Sequence, residues 1–149
     1  MDTQIISFEE YQSLHIPVLF SDKFTDRKFG ILTNELFRFK FGWQSDELSP
    51  LIYKFNNYRV IGIDLNCSII NVEDIENVYT FSLQSFFCEA KLYVDNVFIV
   101  SEIEILVFNM RTNKLLKKIS LSDIYCNLDI GDNNITVTYL NDNEEIFEI

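Results

Sequence analysis

Between Lys91 and Ile119 the chain alternates short apolar runs with polar breaks, and this pattern leaves few folds open. Leu92-Tyr93-Val94 is one run, Asp95-Asn96 is a turn signal, and Val97-Phe98-Ile99-Val100 is a second run. Ile103, Ile105 and Val107 then alternate with Glu102, Glu104 and Leu106. A polar break follows at residues 109–113, and Leu115, Leu116 and Ile119 resume the pattern. β-Branched and aromatic runs bounded by Asn/Asp turns specify strands joined by hairpins. The stretch predicts a three- or four-strand antiparallel meander at the centre of the sheet.

Composition pushes the same way. Fourteen Phe and seven Tyr stand against a single alanine, Ala90. Scarce alanine removes the best helix former, while Ile, Phe, Tyr and Val favour strands. Strand signals recur roughly every 8 to 12 residues, the spacing of a β-sandwich or barrel. Phe37, Phe39 and Phe41 alternate with Arg38 and Lys40, the period of a half-buried strand with a solvated basic face. Residues 51–55 and 58–64 form a strand pair around Asn56-Asn57, and 68–72 adds a short strand. Residues 73–79 fit an acidic turn or a helix start, and 81–89 reads as strand. Short pieces at 18–20, 121–126 and 128–130 and a hairpin over 130–149 complete the pattern. Residues 21–30 and 42–50 read as loops. One helix is expected: Ser7-Phe8-Glu9-Glu10 has the capping-box form, Phe8, Tyr11 and Leu14 fall at helical spacing, and Pro17 ends the run. The expected fold is mainly β, a single-domain antiparallel β-sandwich or partly open barrel over residues 1–149 with a short N-terminal helix. Residues 91–119 also look like one blade of a β-propeller. Four or more blades of about 40 residues exceed the length of this chain, so the blade likeness is read as generic meander chemistry.

Chemistry-bearing motifs are sparse. His15, the only histidine, stands at the end of the helix, where interaction with the helix dipole is the plainer reading than catalysis. Glu102 and Glu104 share one strand face without a cleft, and a solvated face is expected there. Asn127 to Asp132 fails as a calcium loop, because Gly131 falls at the fifth position and no Glu closes it. Phosphate-cradling glycine loops and metal-ligand spacings are absent, so no cofactor or metal is expected. Cys67, Cys88 and Cys126 are odd in number and widely spaced, the pattern of reduced, mostly buried thiols. The stretch MDTQIISFEE lacks the basic and apolar regions of a signal peptide, and no apolar run reaches the ~20 residues of a membrane span. The expected compartment is cytoplasmic.

The charge map says more. The net charge is −11, which repels nucleic acid and anionic membranes and favours a basic protein partner. No Lys or Arg occurs between Arg59 and Lys91 or after Lys118, and both intervals are rich in acids. Turns gather at sheet ends, so the two zones are expected to form one surface. Its expected contacts are Glu73, Asp74, Glu76, Asp129, Asp132, Asp142, Glu144 and Glu145, with Trp43 on the 42–50 loop as an anchor.

In size, acidity, β-rich character and absence of a catalytic motif, the chain is similar to the immunity proteins of bacterial toxin–immunity systems, including those of contact-dependent inhibition. That resemblance implies a monomeric, non-enzymatic inhibitor that captures a cognate basic toxin domain, such as a nuclease, in a tight stoichiometric complex. The other reading is a small-ligand-binding or enzymatic β-barrel or sandwich, its aromatics lining a cavity.

Overall fold

The computed structural model describes residues 2–149, and they form antiparallel sheets with one short helix. The chain gathers into two compact units, residues 1–82 and 83–149. Each unit contains two meander sheets.

In the first unit, β1 (Asp2–Ile6), β2 (Lys28–Thr33) and β3 (Arg38–Trp43) form one sheet in that order. The second runs β4 (Leu51–Phe55), β5 (Tyr58–Ile63), β6 (Asn66–Asn71), β7 (Asp74–Ser82). Leu32, Phe39, Phe41 and Trp43 from the first, with Phe37 from its β2–β3 turn, pack with Ile61, Ile63 and Ile70 from the second. Pro17 to Phe20 lie beside β3 in parallel: Lys40 N–H donates to Pro17 O (2.9 Å), Leu19 N–H to Lys40 O (2.9 Å) and Gly42 N–H to Phe20 O (3.0 Å). This segment supplies the first sheet with a fourth row. Helix α1 (Phe8–Ser13) carries the expected capping box, Glu10 N–H to Ser7 Oγ at 3.1 Å and Ser7 N–H to Glu10 Oε2 at 2.9 Å.

In the second unit, β8 (Phe87–Tyr93), β9 (Asn96–Ser101), β10 (Glu104–Asn109) and β11 (Lys114–Ser120) form a four-stranded meander. β12 (Tyr125–Ile130), β13 (Asn134–Tyr139) and β14 (Glu144–Glu148) form a three-stranded one. Their shared core joins Phe98, Val100, Ile105, Val107 and Ile119 to Leu128, Ile135, Val137 and Tyr139.

The strand content and the central meander match the sequence reading, while several local expectations are corrected. Residues 87–120 form one of four sheets rather than the centre of one. Two-residue turns, at 56–57, 64–65 and 94–95, keep the two four-stranded meanders short, so that four sheets fit in 149 residues. Lys28, Phe29 and Gly30 belong to β2 and not to a loop; their mixed polarity hides a strand whose Phe29 is buried. Gly42 and Trp43 end β3, so the surface loop starts later than expected. The polar N-terminus forms β1, which composition does not announce. Lys40 does not lie on a solvated face: its Nζ donates to Tyr11 O (2.8 Å) and Leu14 O (2.6 Å) and stands 4.6 Å from the Tyr11 ring centroid. Those bonds take the helix C-terminal carbonyls expected for His15, which is exposed. Glu104 is fully buried, not solvated, accepting from Gln84 N–H (2.6 Å) and pairing with Lys118 (2.8 Å). Among the thiols, Cys67 is buried, Cys88 half-buried and Cys126 exposed.

Candidate functional site

The β12–β14 sheet carries the arrangement best suited to binding. Tyr139 ends β13 and is 2% exposed, so its ring belongs to the core while its hydroxyl emerges at the sheet end. Asn141, Asp142 and Asn143 then turn the chain, with Asp142 at φ 63 and Asn143 N–H donating to Asn141 Oδ1 (3.0 Å). A left-handed residue in a tight turn suits Asp and Asn, which tolerate that conformation. β14 returns with Glu144 and Glu145. Ser122 and Asp123, from the connection between β11 and β12, face the same space. Together Ser122, Asp123, Tyr139, Asn141, Asn143, Glu144 and Glu145 line a pocket of about 420 Å³.

Its groups are tied to one another. Glu145 Oε2 accepts from the Tyr139 hydroxyl and from Ser122 Oγ (2.8 Å), while Ser122 N–H reaches the Tyr139 oxygen (3.3 Å). Asn141 Nδ2 donates to Asp123 Oδ2 (2.6 Å). The Tyr139 hydroxyl, followed by Ser122, holds the Glu145 carboxyl below the usual glutamate range. Burial, reinforced by Glu145, pushes the Tyr139 phenol up. Three carboxylates therefore line a pocket whose wall contains no Lys or Arg. Such a wall lowers the energy of a cationic group entering it.

The sequence-derived contacts separate into distinct groups. Glu144 and Glu145 line the pocket and Asp142 is on its turn. Asp129 and Asp132 lie at the other end of the same sheet, near the β12–β13 turn. Six residues of β13 separate the two ends, roughly 17 Å at strand rise. Asp132 there accepts from the Tyr93 hydroxyl, and Asp129 from Asn127 Nδ2 (3.3 Å). Glu73, Asp74 and Glu76 are exposed in the first unit, at the β6–β7 turn and the start of β7. Asp74 accepts from Asn77, and burial, then Tyr79, Glu73 and Asp74, raise the Tyr58 phenol. Trp43 is not a surface anchor: it is 2% exposed and stacks on Phe41 at 5.5 Å. Ser122, Asp123 and Tyr139 are pocket residues that the charge map did not select. Only the register of β13 and β14 and the return of the 121–124 connection bring them to the acids.

Among the described residues, no group of three or more His, Cys, Asp or Glu side chains is placed to hold a metal ion. No helix there is long and apolar enough to cross a membrane.

No family model matches the chain, and no curated protein does. Among solved structures it is similar to the computationally designed Ika8 protein, at 14% identity and TM-score 0.56 over 72% of this chain and 36% of that one. The designed Ika4 protein gives 16% and 0.55, over 72% and 69%. Apo AztD from Citrobacter koseri gives 9% and 0.51, over 83% and 39%. The chain thus spans little more than a third of the length of Ika8 and AztD. The likeness is one of fold alone.

Proposed function

We propose that this chain is a non-catalytic protein-binding inhibitor that captures a basic partner at the acidic pocket of the β12–β14 sheet. The observation that carries the reading is the convergence of Asp123, Glu144 and Glu145 on one 420 Å³ pocket without a cation in its wall. A Lys or Arg side chain of a partner complements that wall, and the surrounding negative charge speeds its approach. Stoichiometric neutralisation of a toxin, as in the immunity proteins that the sequence resembles, is the biological form of this reading. Its setting is the cytoplasm.

The test begins with affinity capture from the host and proceeds to kinetics on the purified partner. A one-to-one complex with a basic protein is expected, its association rate falling as ionic strength rises. Replacing Asp123 by Asn and Glu144 and Glu145 by Gln should slow association by about tenfold at low salt and flatten the salt dependence. Unchanged association in that triple variant overturns the assignment of the pocket.

The pocket volume also falls within the range of small-ligand sites. This favours a second reading, a small polyvalent cation as the ligand. A thermal shift with spermidine, abolished in the same triple variant, would support it.

A further inference from the structure

The four sheets are not completed alike. Two have four strands, and the β1–β3 sheet gains its fourth row from Pro17 to Phe20 beside β3. The β12–β14 sheet has three, and β14 is its outer strand. Tyr139 N–H donates to Asn143 O (2.9 Å) and Ile149 N–H to Asn133 O (3.1 Å). In an antiparallel ladder the bonded residues alternate, so residues 143, 145, 147 and 149 face β13. Glu144, Ile146 and Glu148 therefore turn their N–H and C=O groups to the open edge.

Neighbouring edges carry the usual guards against strand addition. β11 has Lys114, Lys117 and Lys118 and a bulge at Val107/Phe108 in its pairing with β10. β12 has a bulge at Cys126, and its Leu128 carbonyl accepts Lys91 Nζ (2.7 Å). β14 pairs regularly over five residues, contains no Lys or Pro, and is capped only at the Glu148 carbonyl, by Lys117. Its solvent face reads Glu144, Ile146, Glu148, with Ile146 67% exposed. An added strand with a basic, an apolar and a basic residue at every second position would set opposite charges across from Glu144 and Glu148 and an apolar pair across from Ile146.

We propose that the free edge of β14 receives a strand of the basic partner, making a fourth strand of the sheet. This rests on the basic-partner reading above and specifies how such a partner docks: backbone pairing fixes the strand beside Glu144, and a basic side chain enters the pocket.

The probe is a blocked heptapeptide, Thr-Lys-Thr-Val-Thr-Lys-Thr (the Lys–Val peptide), which sets Lys, Val and Lys on one face of a strand, compared with the same peptide carrying Glu for both Lys (the Glu–Val peptide). With the full chain, the Lys–Val peptide should bind, the Glu–Val peptide should not, and the amide of Ile146 should become protected from hydrogen exchange. Ile146→Pro removes one outward N–H that β13 does not use, so the thermal midpoint should stay near the parent while peptide affinity falls about tenfold or more. If that variant is poorly folded, Ile146→Lys, a charge guard on the same edge, serves in its place and should also reject the peptide. Absence of Lys–Val binding overturns the added strand. So does binding that survives these variants without protecting Ile146. If that surviving binding is lost when Asp123, Glu144 and Glu145 are neutralised, the pocket reading stands without the strand.

Discussion

Single residues in this protein carry charge into places where sequence patterning expects solvent. Glu104 has no exposed surface, yet one oxygen accepts from Gln84 N–H and the other meets Lys118. Ser101 Oγ donates to the Glu104 carbonyl (3.2 Å), and Ser85 Oγ to Ser101 Oγ (3.0 Å), so a buried polar chain fixes the start of the second unit to β10. Glu104→Ala leaves Gln84 N–H without its acceptor and opens a void, and should cost about 2–4 kcal/mol in urea unfolding. Val94 shows the opposite economy. It stands at φ 54 in the β8–β9 turn and is 74% exposed, a left-handed position in which a β-branched residue is strained. Val94→Gly should raise stability by about 1 kcal/mol, because relief of strain exceeds the added chain entropy. Asp26 accepts from Ser21 Oγ and Asp22 N–H (both 2.7 Å). Burial, with Asp22 and Asp64 adding repulsion, outweighs those bonds and lifts its carboxyl above the usual aspartate range. A raised acid favours the folded state below its unfolded pKa and loses that advantage as pH rises through the folded one. Asp26→Asn should therefore raise the melting temperature relative to the parent at pH 7, with the gain shrinking as pH falls through the aspartate range. A gain that is constant between pH 3 and pH 7 would rule out this electrostatic origin.

At the level of elements, lysines recur as caps on backbone carbonyls. Lys40 caps α1, Lys91 caps Leu128 on β12, and Lys117 caps Glu148 on β14. Helix α1 has six residues, too few to stand alone in water, so its geometry depends on the capping box at one end and Lys40 at the other. Lys40→Met keeps the aliphatic stem and deletes the donor. Amide exchange within α1 should then speed up by about tenfold, while β2 and β3 keep their protection. The helix start was legible because Ser7 and Glu10 are only three residues apart in the chain. It could not show the other end, since Lys40 is 26 residues beyond Leu14 and comes near only through the pairing of β3. The same reason governs the candidate site. Alternation at 135–139 and the Asn-rich turn made the β13–β14 hairpin legible, and with it Glu144 and Glu145. Ser122 and Asp123 join them only when the 121–124 connection folds back. Conversely, charge counting merged Asp129 and Asp132 with Glu144 and Glu145, although a strand holds them at opposite ends of the sheet. Phe87 to Ser120 was readable because Asp95, Glu102 and the polar residues at 111–113 interrupt the apolar runs, although Val94, which patterning assigns to a strand, sits in the first turn; Lys28 to Thr33 was not, because its charged flank resembles a loop.

On the scale of the whole chain, acidity is shared and not segregated: residues 1–82 hold seven Lys or Arg against twelve Asp or Glu, and residues 83–149 hold five against eleven. Net charge alone therefore selects neither unit as the binding half. The local absence of cations beyond Lys118 is what distinguishes the β12–β14 sheet. Each unit also has its own apolar core, one around Phe39, Phe41, Trp43 and Ile61, the other around Phe98, Ile105, Ile135 and Val137. Cores built from separate residues permit separate melting. The single tryptophan makes this measurable, because Trp43 fluorescence reports on the first unit while far-UV circular dichroism reports on both. Ile135 is fully buried, and Ile135→Ala should destabilise the second unit by about 2–5 kcal/mol. In a denaturant titration of that variant, part of the circular dichroism transition should move to lower denaturant while the Trp43 transition holds its parent midpoint. If both signals move together by the same amount, the two cores unfold as one cooperative body and the boundary near Ser82 has no thermodynamic meaning.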